Sequence, residues 1–197
     1  MTAFEILMDI SNKNNGLILT KTAADNGVSR ASLSQLCKAG KISRVAKGQY
    51  VLADALNDEM LSLSIRSDLI VFSHESALFL NGISDRTPFE HAVTIPSSKT
   101  LARSISEQCK IYYIKDDLHN MGKVQLITPM GNSVPAYDMD RTVCDIVRSR
   151  SRIADETFLS SLKQYAANPQ KNLANLSIYA SRMGILQQVR KCLEVLL

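Results

Sequence analysis

Six basic side chains fall between residues 16 and 51: Lys21, Arg30, Lys38, Lys41, Arg44 and Lys47. One acid, Asp25, opposes them, so this stretch carries net +5 in a chain of net +4. Positive charge gathered into one segment of an otherwise near-neutral chain suits contact with phosphates. The order of the residues says what surface would present it. At about 100° per residue over 30–38, Leu33, Leu36 and Cys37 share one side, while Ala31, Ser34, Gln35 and Lys38 share the other. Arg30 stands in the first turn, where a recognition helix meets base edges. A small, polar and basic face can enter a major groove. Arg and Gln there read guanine and adenine edges, and Ser and Lys hold phosphates.

The elements that must position these residues are legible nearby. Thr20 is expected to cap a short helix over 21–25, ended by Asn26-Gly27, and Ser29 a second over 30–38, stopped by Gly40. Lys41-Ile-Ser-Arg-Val-Ala-Lys-Gly-Gln-Tyr-Val51 suits two short strands around a Lys47-Gly48 tip, a basic wing. A helix over 4–12, with Met1, Phe4, Leu7 and Met8 on one face, and a short strand over 17–19 complete a winged helix-turn-helix over 1–54. An ordinary amphipathic helix with a solvated basic face is the competing description of the same residues. The polar, acidic stretch 53–59 marks a boundary and can start a helix through Met60, Leu61, Leu63 and Ile65.

Residues 55–197 form the expected second domain, mixed αβ to about 138 and helical after, so the fold class is α+β with a helical tail. Strands are expected over 69–72, 92–95, 110–114 and 124–128, with an extended piece over 133–137 in which Pro135 marks a sheet edge. Helices are expected over 73–80, 99–107, 140–152, 155–167, 171–182 and from 185 to the end, with a loop at 85–88.

The chemistry-bearing residues of that half are sparse. His74, His91 and His119 match no zinc spacing, and Cys37, Cys109, Cys144 and Cys192 form no C-x-x-C pair, so no metal or cofactor is expected. Ser73-His74-Glu75-Ser76 reads as a helix start capped by Ser73, since neighbours on a helix face apart and cannot form a triad by proximity. Asp138-Met-Asp140 has the form of a magnesium-holding pair, but the glycine-serine phosphate cradle such enzymes need is lacking, and with Asp145 these acids suit capping and flanking a helix. None of the eight glycines builds a phosphate loop, so the chain is read as non-enzymatic. Arg148, Arg150 and Arg152, with Arg141 one heptad before, form a second basic cluster. It suits either a second phosphate contact or a helix end that complements the dipole. No apolar run is long enough to span a bilayer and Met1-Thr-Ala-Phe-Glu-Ile has no signal-peptide character, so a reduced, cytoplasmic protein without membrane contact is expected.

Four stretches, in order, give the chain a family resemblance. They are Lys41-Ile-Ser-Arg-Val-Ala-Lys-Gly-Gln-Tyr50, Phe72-Ser-His-Glu-Ser-Ala-Leu-Phe-Leu-Asn-Gly-Ile-Ser-Asp85, His91-Ala-Val-Thr-Ile-Pro96, and Thr128-Pro-Met-Gly-Asn-Ser-Val-Pro-Ala-Tyr137 with Asp140-Arg-Thr-Val-Cys-Asp145. With them the chain resembles the AbiEi antitoxins of type IV toxin–antitoxin systems in bacterial abortive-infection loci. The resemblance implies an amino-terminal domain that represses its own operon by binding inverted repeats in promoter DNA. It also implies a carboxy-terminal domain that counters a nucleotidyltransferase toxin without a stable complex. The last forty-five or so residues add no motif to it. Two other readings stay open on the residues: a nucleotide- or toxin-modifying enzyme with a DNA-binding amino-terminal domain, or a protein-interaction module without specific DNA binding.

Overall fold

Thr2 opens the first helix, α1 (Ala3–Lys13), through a capping box: its amide donates to Glu5 Oε2 at 2.8 Å and its Oγ1 accepts from the Glu5 amide at 3.3 Å. Leu7, Ile10 and Ser11 are buried, at helical spacing. Met8 and Met1 are exposed, contrary to the expected face, because the inward stripe runs through 7, 10 and 11 and Met1 precedes the cap. β1 (Ile18–Leu19) leads directly into α2 (Thr20–Asp25). Thr20 does not cap α2. Leu19 takes that position without a side-chain bond, because the strand pairing runs on and the Thr20 amide donates to the Gly48 carbonyl at 2.9 Å. Ser29 does cap α3 (Arg30–Lys38), accepting from the Ser32 amide at 3.0 Å.

β2 (Ile42–Ala46) and β3 (Gln49–Leu52) form an antiparallel hairpin, with a register shift between Arg44 and Ala46. β1 joins β3 to give the sheet order β1-β3-β2. The hairpin tip favours Gly48, whose φ of +77° is one that L side chains rarely adopt. Leu7, Ile10, Ile18, Ala23, Val28, Leu33 and Ile42 make the core, with Leu36 and Cys37 half-buried against it. Each fully buried Leu, Ile or Val side chain here contributes about 1.5–3 kcal/mol.

The computed structural model describes residues 1–84 and 86–194. Asp85 and residues 195–197, expected in a loop and at the end of the last helix, lie outside the described residues. The chain divides into two units, 1–65 with 128–132, and 66–127 with 133–197. Residues 55–65, assigned from the sequence to the second domain, thus group with the first unit. Polar bonds hold them there. Gln49 Nε2 donates to the Ser62 carbonyl at 3.1 Å, and Ser62 Oγ donates to Gln49 Oε1 at 2.5 Å. Asp58 Oδ1 accepts from the Leu61 amide at 3.0 Å in the first turn of α4 (Glu59–Arg66). Asp58 Oδ2 accepts from Thr128 Oγ1 at 2.5 Å and Asn132 Nδ2 at 2.7 Å, and all three residues are buried.

The second unit is built on a five-stranded mixed sheet. Its strands are β4 (Val71–Phe72), β5 (His91–Pro96), β6 (Cys109–Ile114), β7 (Lys123–Ile127) and β8 (Ser133–Tyr137), in the order β6-β5-β4-β8-β7. β4/β5 and β7/β8 are antiparallel, and β5/β6 and β4/β8 parallel. β8 is therefore an inner strand, and Pro135 does not mark an edge. It is tolerated because the pairing with the two-residue β4 is registered at Phe72↔Ala136 alone.

Two further helices, α5 (His74–Leu80) and α6 (Arg103–Ser106), lie between strands, α6 shorter than expected. The helical block is α7 (Met139–Arg148), α8 (Asp155–Ala167), α9 (Leu173–Arg182) and α10 (Leu186–Leu193). α7 ends at Arg148, four residues before the expected stop, and a 3-10 turn (Arg150–Arg152) then delivers Ile153 in extended conformation into the core. That core runs from Leu78 and Ile83 through Val143, Cys144 and Ile146 to Leu162, Tyr165, Leu176 and Val189. The chain is thus α+β, with two separate sheets.

Candidate nucleic-acid interface

Ser29 fixes where α3 begins, and Leu33 in the core fixes how it is turned. The residues left outward are Arg30, Ala31, Ser34, Gln35 and Lys38, all exposed. Lys21 on α2, Lys41 after α3, Arg44 on β2 and Lys47 at the hairpin tip are exposed as well. Among the described residues none of these six cations forms an ion pair with a carboxylate, although Lys13 and Asp9 pair on α1 of the same unit. Two of the cations have local restraints that leave their charge available. Lys41 Nζ sits 5.0 Å from the Phe4 ring centroid, and Arg44 Nε donates to the Ala46 carbonyl at 3.3 Å. The result is a face whose cationic donors are not taken up by carboxylates, which is what phosphates and guanine edges require.

The basic cluster of the second unit is taken apart by the fold. Arg141 is fully buried and cannot reach a phosphate outside. Its Nη1 donates to the carbonyls of Leu118 at 2.9 Å and Met121 at 2.7 Å, its Nε donates to Asp145 Oδ1 at 3.2 Å, and its guanidinium lies 4.2 Å from the Tyr137 ring centroid. Arg150 pairs with Asp155, donates to the Ile153 carbonyl at 3.0 Å and lies 4.3 Å over the Phe158 ring. Only Arg148 and Arg152 of the cluster are exposed. The i,i+2 spacing held no sign of this, because α7 ends between Arg148 and Arg150.

The Ser73-His74 pair also departs from expectation. His74 takes φ +47° at the start of α5, and its Nδ1 lies 2.9 Å from Ser73 Oγ, so the neighbours do touch. Ser73 makes no capping bond; its hydroxyl instead accepts from Thr94 Oγ1 at 2.8 Å. His74 Nε2 faces Ser149 Oγ at 3.0 Å, a contact across 75 positions that no local pattern signals. Glu75 turns away to accept from Lys110 Nζ at 2.7 Å. Burial, then Arg152 and Lys110, hold the His74 imidazole well below its ordinary pKa. With a cationic surrounding and no orienting carboxylate, this is not the constellation of an activated serine.

Asp138 and Asp140 are used structurally. Asp138 caps α7 by accepting from the Arg141 amide at 2.7 Å, and its Oδ2 accepts from Tyr179 Oη at 3.0 Å. Asp140 Oδ1 accepts from Tyr165 Oη at 2.8 Å and the Asn172 amide at 2.9 Å. Asp145 lies inside α7, paired with Arg141 rather than capping, and burial pushes its carboxyl up. Among the described residues no three His, Cys, Asp or Glu side chains gather as a metal site. All four cysteines are free, and burial pushes the Cys144 thiol up to about 12. No helix among the described residues is long and apolar enough to cross a membrane.

Comparison with known proteins places the two units in context. The crystal structure of the RV2827C protein from Mycobacterium tuberculosis is similar in fold, with a TM-score of 0.72 over 98% of this chain and 77% of that one, at 14% identity. No curated protein sequence matches the chain. The family model described as transcriptional regulator, AbiEi antitoxin, matches residues 5–53, which run from the first turn of α1 through β3 and include every cation of the exposed face. The match to that family is confined to this amino-terminal segment.

Proposed function

We propose that the chain is a DNA-binding autorepressor and antitoxin of a type IV toxin–antitoxin system, acting in the cytoplasm without catalysis of its own. The observation that carries this reading is the set of exposed, unpaired cations on α3 and the β2–β3 hairpin, within the segment that matches the regulator family. In this reading α1 to β3 are a winged helix-turn-helix. α3 enters the major groove, Arg30 and Gln35 read base edges, and Ser34 and Lys38 reach the groove wall. Arg44 and Lys47 meet phosphates or the minor groove from the wing, with Lys21 and Lys41 as further phosphate contacts. The target is promoter DNA with inverted repeats, each repeat occupied by one copy of α3. The second unit is the part that counters a nucleotidyltransferase toxin, without a stable complex.

Footprinting on the DNA upstream of the protein's own coding region tests the reading. A protected pair of inverted repeats is the expected result, with affinity that falls steeply as salt rises. Binding that ignores both sequence and salt would replace it with a protein-interaction module.

A further inference from the structure

Beyond DNA binding, we propose that the second unit holds a small phosphate monoester bearing a hydroxyl or amino donor, in the cleft beside the carboxy-terminal end of α7. The cleft has a volume of about 320 Å³, within the range of small-ligand sites, and His74, Thr94, Tyr112, Asp145, Arg148 and Arg152 are among its walls. Two kinds of group meet there. Arg148 and Arg152 are exposed and have no carboxylate partner among the described residues. Arg152 is held in place, its guanidinium 4.0 Å from the Tyr112 ring centroid and its Nη2 donating to the Ile111 carbonyl at 3.3 Å. The Tyr112 ring is itself fixed by stacking on His74, with centroids 3.4 Å apart. These two arginines supply the charge and the donors that a phosphate takes.

Asp145 supplies the opposite requirement. It is 2% exposed, its Oδ1 accepts from Arg141, and its Oδ2 has no partner among the described residues. A buried carboxyl oxygen without a hydrogen-bond partner is costly, and a ligand hydroxyl or amine removes that cost. The phosphodiester backbone of DNA has no such donor. A compact ester with its phosphate on Arg148 and Arg152 and its donor on Asp145 satisfies both ends. Neutral His74, whose nitrogens face the Ser73 and Ser149 hydroxyls, then orients the wall without adding charge.

Calorimetric titration of the full chain with ribose 5-phosphate, adenosine monophosphate and inorganic phosphate tests this. Saturable binding of either ester, tighter than inorganic phosphate, is the expected result. Binding of both assigns the sugar phosphate as the recognised part, and of the nucleotide alone adds the base. Arg148→Ala and Arg152→Ala, both at exposed positions, should each weaken the ester by about tenfold or more. Asp145→Asn, used once its thermal melt shows a folded chain, should erase the preference for ester over inorganic phosphate. The proposal fails if neither ester binds, if inorganic phosphate binds as tightly as both, or if the arginine variants retain full ester affinity. It fails equally if those variants lose affinity for duplex DNA while no ester binds. Footprints of the upstream DNA are read separately, so the loss of this site leaves the autorepressor reading standing.

Discussion

α3 and α7 are two helices of similar length that put their arginines to opposite use. On α3, Leu33 is the buried residue, and Arg30 and Lys38 stand in water without carboxylate partners. On α7, eight consecutive residues from Asp140 to Val147 are buried, and Arg141 is enclosed by carbonyls, a carboxylate and an aromatic face. A charge left unpaired on a surface can be spent on a partner. A charge enclosed and paired inside fixes the fold around it. Counting basic residues does not separate the two; the number of acceptors that the fold brings to each does.

Arg141→Ala should show the largest effect. It leaves Asp145 buried without its cation and two carbonyls without a donor, at about 3–5 kcal/mol. Denaturant unfolding should show that loss, while DNA affinity corrected for the folded fraction stays unchanged. Arg30→Ala should do the reverse, with an unaltered melting temperature and about 1–3 kcal/mol lost at the cognate repeat in a gel-shift titration. If both variants lost stability alike, the distinction between the helices would collapse.

A third test sharpens the contrast through pH. His74 is kept neutral by burial and by the cations around it, so the unfolded chain takes up its proton more readily than the folded one. Its contribution to stability is complete above the ordinary value of 6.5 and is lost as pH falls below it, at up to about 1.4 kcal/mol per pH unit. His119, whose pKa burial also lowers, adds in the same direction, so His74→Gln should reduce the slope of stability below pH 6.5 rather than abolish it. The smallest effect belongs to Lys47→Ala, expected to weaken all DNA sequences nearly equally and to flatten the salt dependence by about one phosphate contact.

The first unit was the more legible in sequence, because its signals are local. The Ser29 cap, the inward Leu33 and the Gly48 tip are each decided within a few residues. What escaped local reading there was Thr20, whose amide is claimed by a strand partner 28 positions away. In the second unit such distant partners are more numerous. Ser73 gives up its cap for contacts with His74 and Thr94, Pro135 sits inside the sheet because β4 is so short, and Arg141 is drawn inward by Leu118, Met121 and Asp145. Gly122 carries the same lesson. An added Cβ there would fall 2.7 Å from Arg141 Cβ, at a φ of +74°. Spacing alone sees a turn glycine and not the arginine packed against it.

The hydrogen bonds from Thr128 and Asn132 to Asp58 make the first unit discontinuous along the chain. Its last polar closure is synthesised some sixty residues after the rest of it. A ribosome-bound chain stopped at residue 65 therefore lacks both donors to Asp58 Oδ2, and so does any gene fragment cut at that point. The first unit cannot be exchanged between proteins as a simple cassette of residues 1–65: a graft must carry the 128–132 strap with it, or replace Asp58 with a residue that needs no donors.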